Sequence, residues 1–189
     1  IIQKININSS DEFKIDEDEK IKVGEVKKII DDFNETYIKN GNIPDLNSLF
    51  KINLFNTFHS YIEAETFFPQ KHNLIRDYIG FFSEILRTSS KGQISFSKTN
   101  PGHIRGNHFH TRKIERFSVL EGEAVVKIKK IGSNKIYSFN LSGKTPSYID
   151  MKVWYTHNIE NIGKTELITL FWINEFYEEN DPDTFFEKV

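Results

Sequence analysis

After Tyr61 the chain stops reading as helix and becomes a series of short apolar runs cut by turns. "FFSEILRT", "QISFSKT", "RFSVLEGEAVVKIKKI", "KIYSFNL" and "ELITLFWINEF" are rich in β-branched and aromatic residues. Gly, Asn and Ser turns separate them at intervals of roughly 8–12 residues, the rhythm of an antiparallel sandwich or barrel. Trp172, in the last of these runs, is expected in the core. Upstream, "EVKKIIDDFNETYIK" (25–39) sets Val26, Ile29, Ile30, Phe33 and Tyr37 at helical spacing, with Gly41 placed as a C-cap. "IPDLNSLFKINLFNTFHSYI" (43–62) predicts a second helix that opens near Pro44 and Asp45. The expected organisation is a helical segment over 1–62 followed by a mainly β domain over 63–189.

The 189 residues are 38% hydrophobic and 28% charged, with a net charge of −2. So small a net charge argues against nucleic acid as the partner. No cysteine is present, which excludes disulfides and thiolate metal sites and makes the cytoplasm the simpler expectation. No apolar run is long enough to insert in a membrane. The single methionine is Met151 and the numbering opens at Ile1, so we expect a trimmed or excised piece of a longer protein. Charge is uneven: 11–20 is acidic, whereas Arg105, Arg112, Lys113, Arg116, Lys127, Lys129 and Lys130 make the middle basic. These cations read either as solvated faces or as a rim around a site for an anionic ligand.

Six histidines occur in the chain, and two of them form His108-x-His110. On a strand, residues two apart share a face, so these imidazoles point together. A turn near Thr111–Arg112 would start a second strand on which Glu115, Phe117 and Val119 share a face. In "VWYTHNIEN" (153–161), alternation groups Val153, Tyr155, His157 and Ile159. Three histidines and one carboxylate suit zinc, ferrous iron, manganese or nickel. Gly102 and Gly106 do not form a dinucleotide or phosphate loop, because no strand–turn–helix pattern surrounds them. His59, His72 and His103 read as surface or partly buried histidines.

The spacing Gly102, five residues, His108-x-His110, four residues, Glu115, six residues, Gly122 resembles the first cupin motif at every defined position. His157 and Asn161 match part of the second motif, where Lys152 and Trp154 replace a proline and a glycine. If that glycine serves a positive φ, the loop before "YTH" must be rebuilt. A cupin is a small antiparallel β-barrel or jelly roll with a metal near its middle. "RGNHFH", "YTHNIENIG" and "FWINEFYEENDPDTFFEKV" further resemble the C-terminal cupin domain of the capsular polysaccharide synthesis enzyme CapF and its relatives. Residues 20–62 resemble the closing helices and linker of the short-chain reductase domain that precedes it. Ile79, in "RDYIGFFSE", stands where that family carries an arginine.

This resemblance implies epimerisation at carbon 3 of a UDP-linked 4-keto-6-deoxy-N-acetylhexosamine, on the way to UDP-N-acetyl-L-fucosamine for capsule or O-antigen. It implies zinc held by His108, His110, Glu115 and His157. No Gly-rich fingerprint supplies an NAD(P) site, so the reductase activity is not expected in this chain. Proton transfer is assigned first to Tyr155 and second to Lys113, and substrate binding to Arg105, Asn107, Lys127 and Lys129. A homodimer is expected, because unpaired aromatic helices over 43–62 would leave an apolar patch. The readings weighed against this one are a non-catalytic metal- or sugar-nucleotide-binding cupin that serves as a dimerising module, and an iron-dependent dioxygenase.

Overall fold

A computed structural model gives the structure of the protein over residues 20–189; the acidic stretch 11–19 lies outside the described residues. Helix α1 (Val23–Phe33) runs into a π-helical turn (Asn34–Lys39) and ends at Gly41, whose φ of 65° only glycine adopts cheaply. Helix α2 (Leu49–Ser60) starts five residues later than Pro44 suggested. Its N-cap is Ser48, whose hydroxyl accepts from the Lys51 amide at 3.2 Å, while Asp45 pairs instead with the Lys51 ammonium at 3.0 Å. A cap needs a side-chain oxygen facing a free amide, and Ser48 supplies it. With the short helix α3 (Ala64–Phe67), these elements close on an aromatic cluster. Phe33 is fully buried against Phe55, edge to face at 5.1 Å. Tyr37 packs on Phe55 at 5.3 Å and its hydroxyl meets His59 Nε2 at 3.1 Å.

Eleven strands follow: β1 (Ile75–Asp77), β2 (Gly80–Arg87), β3 (Gln93–Thr99), β4 (Ile104–Phe109), β5 (Glu115–Glu121), β6 (Glu123–Lys130), β7 (Ile136–Ser142), β8 (Tyr148–Met151), β9 (Tyr155–Asn161), β10 (Leu167–Ile173) and β11 (Phe185–Phe186). They form two antiparallel sheets, ordered β1-β2-β3-β10-β5-β8 and β11-β4-β9-β6-β7. The fold is therefore mainly β, as the strand rhythm implied. Between the sheets lies an apolar core of Phe117, Val119, Ala124, Val126, Leu141, Met151, Ile159 and Leu167.

One face differs from the sequence reading. Trp172 is not core: it is 41% exposed, because period-2 alternation on β10 turns Leu167, Thr169 and Phe171 inward and Trp172 out. On β3 the polar set Gln93, Ser95, Ser97 and Thr99 is the buried one, while Phe96 packs outside against Phe81 at 5.6 Å. A polar inner wall belongs to a barrel that encloses a ligand space rather than a continuous core.

Two devices set up the end of the barrel where the histidines lie. The first is a bulge on β4, where the register against β9 slips between Gly106 and His108. Gly106 (φ 99°) and Asn107 (φ 61°) absorb the extra residue, and a Cβ on Gly106 would sit 2.7 Å from the His157 carbonyl. The second is the C-terminal segment. The buried Asp183 carboxylate accepts from three consecutive amides, Thr111 at 3.0 Å, Arg112 at 2.9 Å and Lys113 at 3.0 Å, and from the Thr111 hydroxyl. Its own carbonyl accepts from His110 Nδ1. Burial alone would raise the Asp183 pKa, but these donors hold it well below the usual carboxylate range.

Asp183→Ala should cost about 2–4 kcal/mol in urea denaturation, since it strands buried amide donors. The folded pKa lies below the unfolded value of about 3.9, so this stabilisation is complete above that pH and fades as pH falls towards the folded value. In Asp183→Asn the acid limb of the stability curve should flatten accordingly.

Candidate metal centre and its cavity

Strands β4, β5 and β9 bring His108, His110, Glu115 and His157 together, with one potential ligand atom from each inside a 4.8 Å span. The bulge makes this possible by pairing His108 directly with His157 across the ladder. Rings of His108 and His157 lie 4.7 Å apart, and those of His108 and His110 5.0 Å apart. Glu115 Oε2 lies 3.1 Å from His157 Nε2 and 3.3 Å from His110 Nε2.

Tautomers follow from the partners. His110 Nδ1 faces the Asp183 carbonyl and His157 Nδ1 the Tyr155 carbonyl at 3.3 Å. A carbonyl oxygen only accepts, so each Nδ1 carries a proton and Nε2 is the atom each ring turns towards the cluster. Both Nε2 atoms and Glu115 Oε2 are buried without a hydrogen-bond partner among the described residues. Such a convergence of ligand-capable atoms suits a cation between them. Burial lowers the pKa of His108 to about 4, and the neighbouring His157 adds to the shift against the pull of Glu115. At His110 burial also opposes protonation, but the Glu115 carboxylate outweighs it and raises the pKa. Burial disfavours the Glu115 anion too, yet His110 and His157 hold its pKa well below normal. The donor set, its burial and its unmet lone pairs fit a divalent metal.

The cluster opens on a cavity of about 970 Å³. Lys113 and Arg105 line it; Tyr155, Asn107, Lys127 and Lys129 do not. Lys113 is 1% exposed and donates to the Pro182 carbonyl at 2.8 Å. Arg105 is held by both oxygens of Asp77 at 3.2 Å. On β6, Lys127 and Lys129 pair across from Asn158 and Thr156, on the face opposite His157. There Lys127 meets Glu160 at 3.2 Å and Lys129 meets the Lys188 carbonyl at 2.6 Å. Asn107 uses its carbonyl oxygen to accept from Asn158 at 2.9 Å. Most of the expected basic rim is likewise matched on the surface, Arg112 by Glu175 and Asp181, and Arg116 by Asp150.

At the second-motif departure the loop carries a positive φ, the conformation that glycine adopts most freely. Trp154 takes the positive φ (63°) itself, its amide donates to the His110 carbonyl at 2.8 Å, and its ring stacks on Phe109 at 5.8 Å. Ile79 sits in the turn between β1 and β2, its amide donating to Asp77 at 2.9 Å, and it does not line the cavity.

Several cavity residues escaped the sequence reading. Gln93 and Ser95 come from the polar face of β3, and Tyr177 from the segment after β10. The helical segment contributes Tyr37 to Asn42, and its linker Phe67 and Gln70 to Asn73, including His72. The alternation in "QISFSKT" marked a polar face, but nothing local marked it as the inner one.

Residues 75–185 match the family model described as the polysaccharide biosynthesis C-terminal domain. Over 132 residues the chain is 31% identical to a UDP-2-acetamido-2,6-beta-L-arabino-hexul-4-ose reductase of Pseudomonas aeruginosa, covering 70% of this chain and 35% of that protein. It is 25% identical over 116 residues to the spore coat polysaccharide biosynthesis protein SpsL of Bacillus subtilis, covering 55% of this chain and 76% of that one. Crystal structures of the capsular polysaccharide assembling protein CapF from Staphylococcus aureus superpose with TM-scores of 0.84 and 0.83 at 34% identity. They cover 89% and 88% of this chain, which spans 49% and 45% of theirs. The chain belongs to the polysaccharide biosynthesis C-terminal domain family, with the fold of the CapF cupin.

Proposed function

We propose that this chain is a metal-dependent sugar-nucleotide epimerase domain. Its substrate is a UDP-linked 4-keto-6-deoxy-N-acetylhexosamine, inverted at carbon 3 during synthesis of a capsule or O-antigen precursor. The observation that carries the reading is the His108–His110–Glu115–His157 cluster, partly buried and opening onto a ligand-sized cavity that Lys113 also lines. The name of the Pseudomonas relative describes a UDP-linked acetamido sugar with a ketone at carbon 4. In such a sugar the carbon 3 proton lies next to the ketone, where its loss gives an enolate.

Zinc bound by these four side chains would supply Lewis acidity, stabilising the enolate oxygen by on the order of several kcal/mol. The remaining tasks belong to the chain. The Asp183 and Tyr155 carbonyls hold His110 and His157 with Nε2 towards Glu115. Phe117, Phe171 and Ile159 exclude water from the inner wall. We assign the proton to Lys113, whose Nζ is buried at this end of the barrel and anchored by one carbonyl. Tyr155 acts through its carbonyl, on His157. The segment over 1–62 is read as the close of a reductase domain in a longer protein, and the exposed Leu49 and Ile52 on α2 as part of a homodimer contact. A cytoplasmic setting follows from the same pathway.

Incubated in D2O with the 4-keto substrate, the metal-loaded protein should lose the carbon 3 proton signal in NMR. Lys113→Gln should slow the exchange by about 10²–10⁴-fold with metal content unchanged. His110→Ala should weaken metal binding and abolish the exchange. Absence of exchange in metal-loaded wild-type protein would overturn the epimerase reading and favour a binding module.

A further inference from the structure

The cavity is larger than a sugar ring requires. At about 970 Å³ it lies at the upper end of the range for small-molecule sites, roughly 300–1,000 Å³. Its inner half is the barrel wall and the histidine cluster. Its outer half is built from elements outside the barrel: the π-helical turn with Gly41 behind it, and the linker after α3. A π-turn is a costly departure from α-helix and recurs at functional sites. Here it delivers Tyr37, Ile38 and Lys39 to the cavity.

The charges of the lining are nearly all cancelled. Glu84 is paired with Arg87 at 2.9 Å, Lys39 with Glu35 at 2.7 Å and Arg105 with Asp77 at 3.2 Å. Among the described residues two lysines lining the cavity have no carboxylate partner. Lys113 is buried in the inner part, and Lys71 is exposed on the linker that builds the outer part. The outer part also offers aromatic side chains, Tyr37 and Phe67, whose rings stack on each other at 6.1 Å and 28°. Beside them on the linker stands the Asn73 side-chain amide, which makes no hydrogen bond within the described residues.

We infer that the helical segment and its linker form the outer half of the ligand site and take the nucleoside diphosphate end of the ligand. Lys71 meets the diphosphate charge, the Tyr37–Phe67 surface faces the base, and Asn73 supplies a donor and an acceptor to its edge. The inference rests on the nucleotide-sugar reading and deepens it: the segment expected to belong to a neighbouring domain becomes part of the specificity of this one. A barrel stripped of it would keep its ligand cluster and lose the nucleotide.

The test is calorimetric titration of UDP alone into the full, metal-loaded chain, alongside the deuterium exchange assay. Wild-type protein should bind UDP, and Lys71→Glu should weaken binding at least tenfold. Metal content and melting temperature should be unchanged, because Lys71 is exposed. Asn73→Ala should reduce UDP affinity while inorganic pyrophosphate binds as before. If wild type exchanges substrate protons but does not bind UDP, or exchanges them while Lys71→Glu binds UDP as wild type does, the inference fails and the epimerase reading stands. If UDP binds and Lys71→Glu weakens it but no exchange occurs, the nucleotide subsite stands and the assigned chemistry fails. If UDP neither binds nor substrate exchanges, both fail.

Discussion

Inside one end of the barrel, Nε2 of His110 and Nε2 of His157 converge on Oε2 of Glu115, buried and without a hydrogen-bond partner among the described residues. The surrounding structure holds that convergence in place. Two carbonyls fix the proton on the far nitrogen of each ring, and the Asp183 carboxylate ties three amides of the turn that separates His110 from Glu115. The chain thus spends stability to keep lone pairs convergent, an arrangement that a bound cation would repay.

The topology serves the same end. Strands β4 and β9 are neighbours in one sheet and β5 lies in the other, so the four side chains cross the space between the sheets at one end of the core. The bulge at Gly106 and Asn107 turns His108 inward opposite His157, and it depends on a backbone approach that only a missing Cβ permits. Beyond the apolar core, the buried polar face of β3 leaves room rather than filling it.

The grouping of His108, His110, Glu115 and His157 was legible in the sequence because it follows from local rules. His108-x-His110 obeys strand alternation, a turn and a new strand place Glu115, and the same alternation places His157. The strand rhythm likewise carried the fold class. What was not legible depends on contacts between distant segments. Asp183 meets residues some seventy positions away, and no local pattern announces that pairing. Lys127 and Lys129 had the right charge on the wrong face, and Trp172 was assigned inward, because alternation separates two faces without saying which is inner. The positive φ at Trp154 shows the converse: the backbone demand of the loop survived the loss of glycine, at a strain of roughly 1–3 kcal/mol offset by its hydrogen bonds and its stacking on Phe109.

The most direct test of this account is X-ray absorption at the metal edge of protein loaded with one equivalent of zinc. It should show one tightly held ion with three imidazole nitrogens and a carboxylate oxygen at about 2.0–2.2 Å, and His157→Ala should remove one nitrogen. A protein that releases the zinc on simple dialysis, or whose coordination is unchanged in His157→Ala, would contradict the account at its centre.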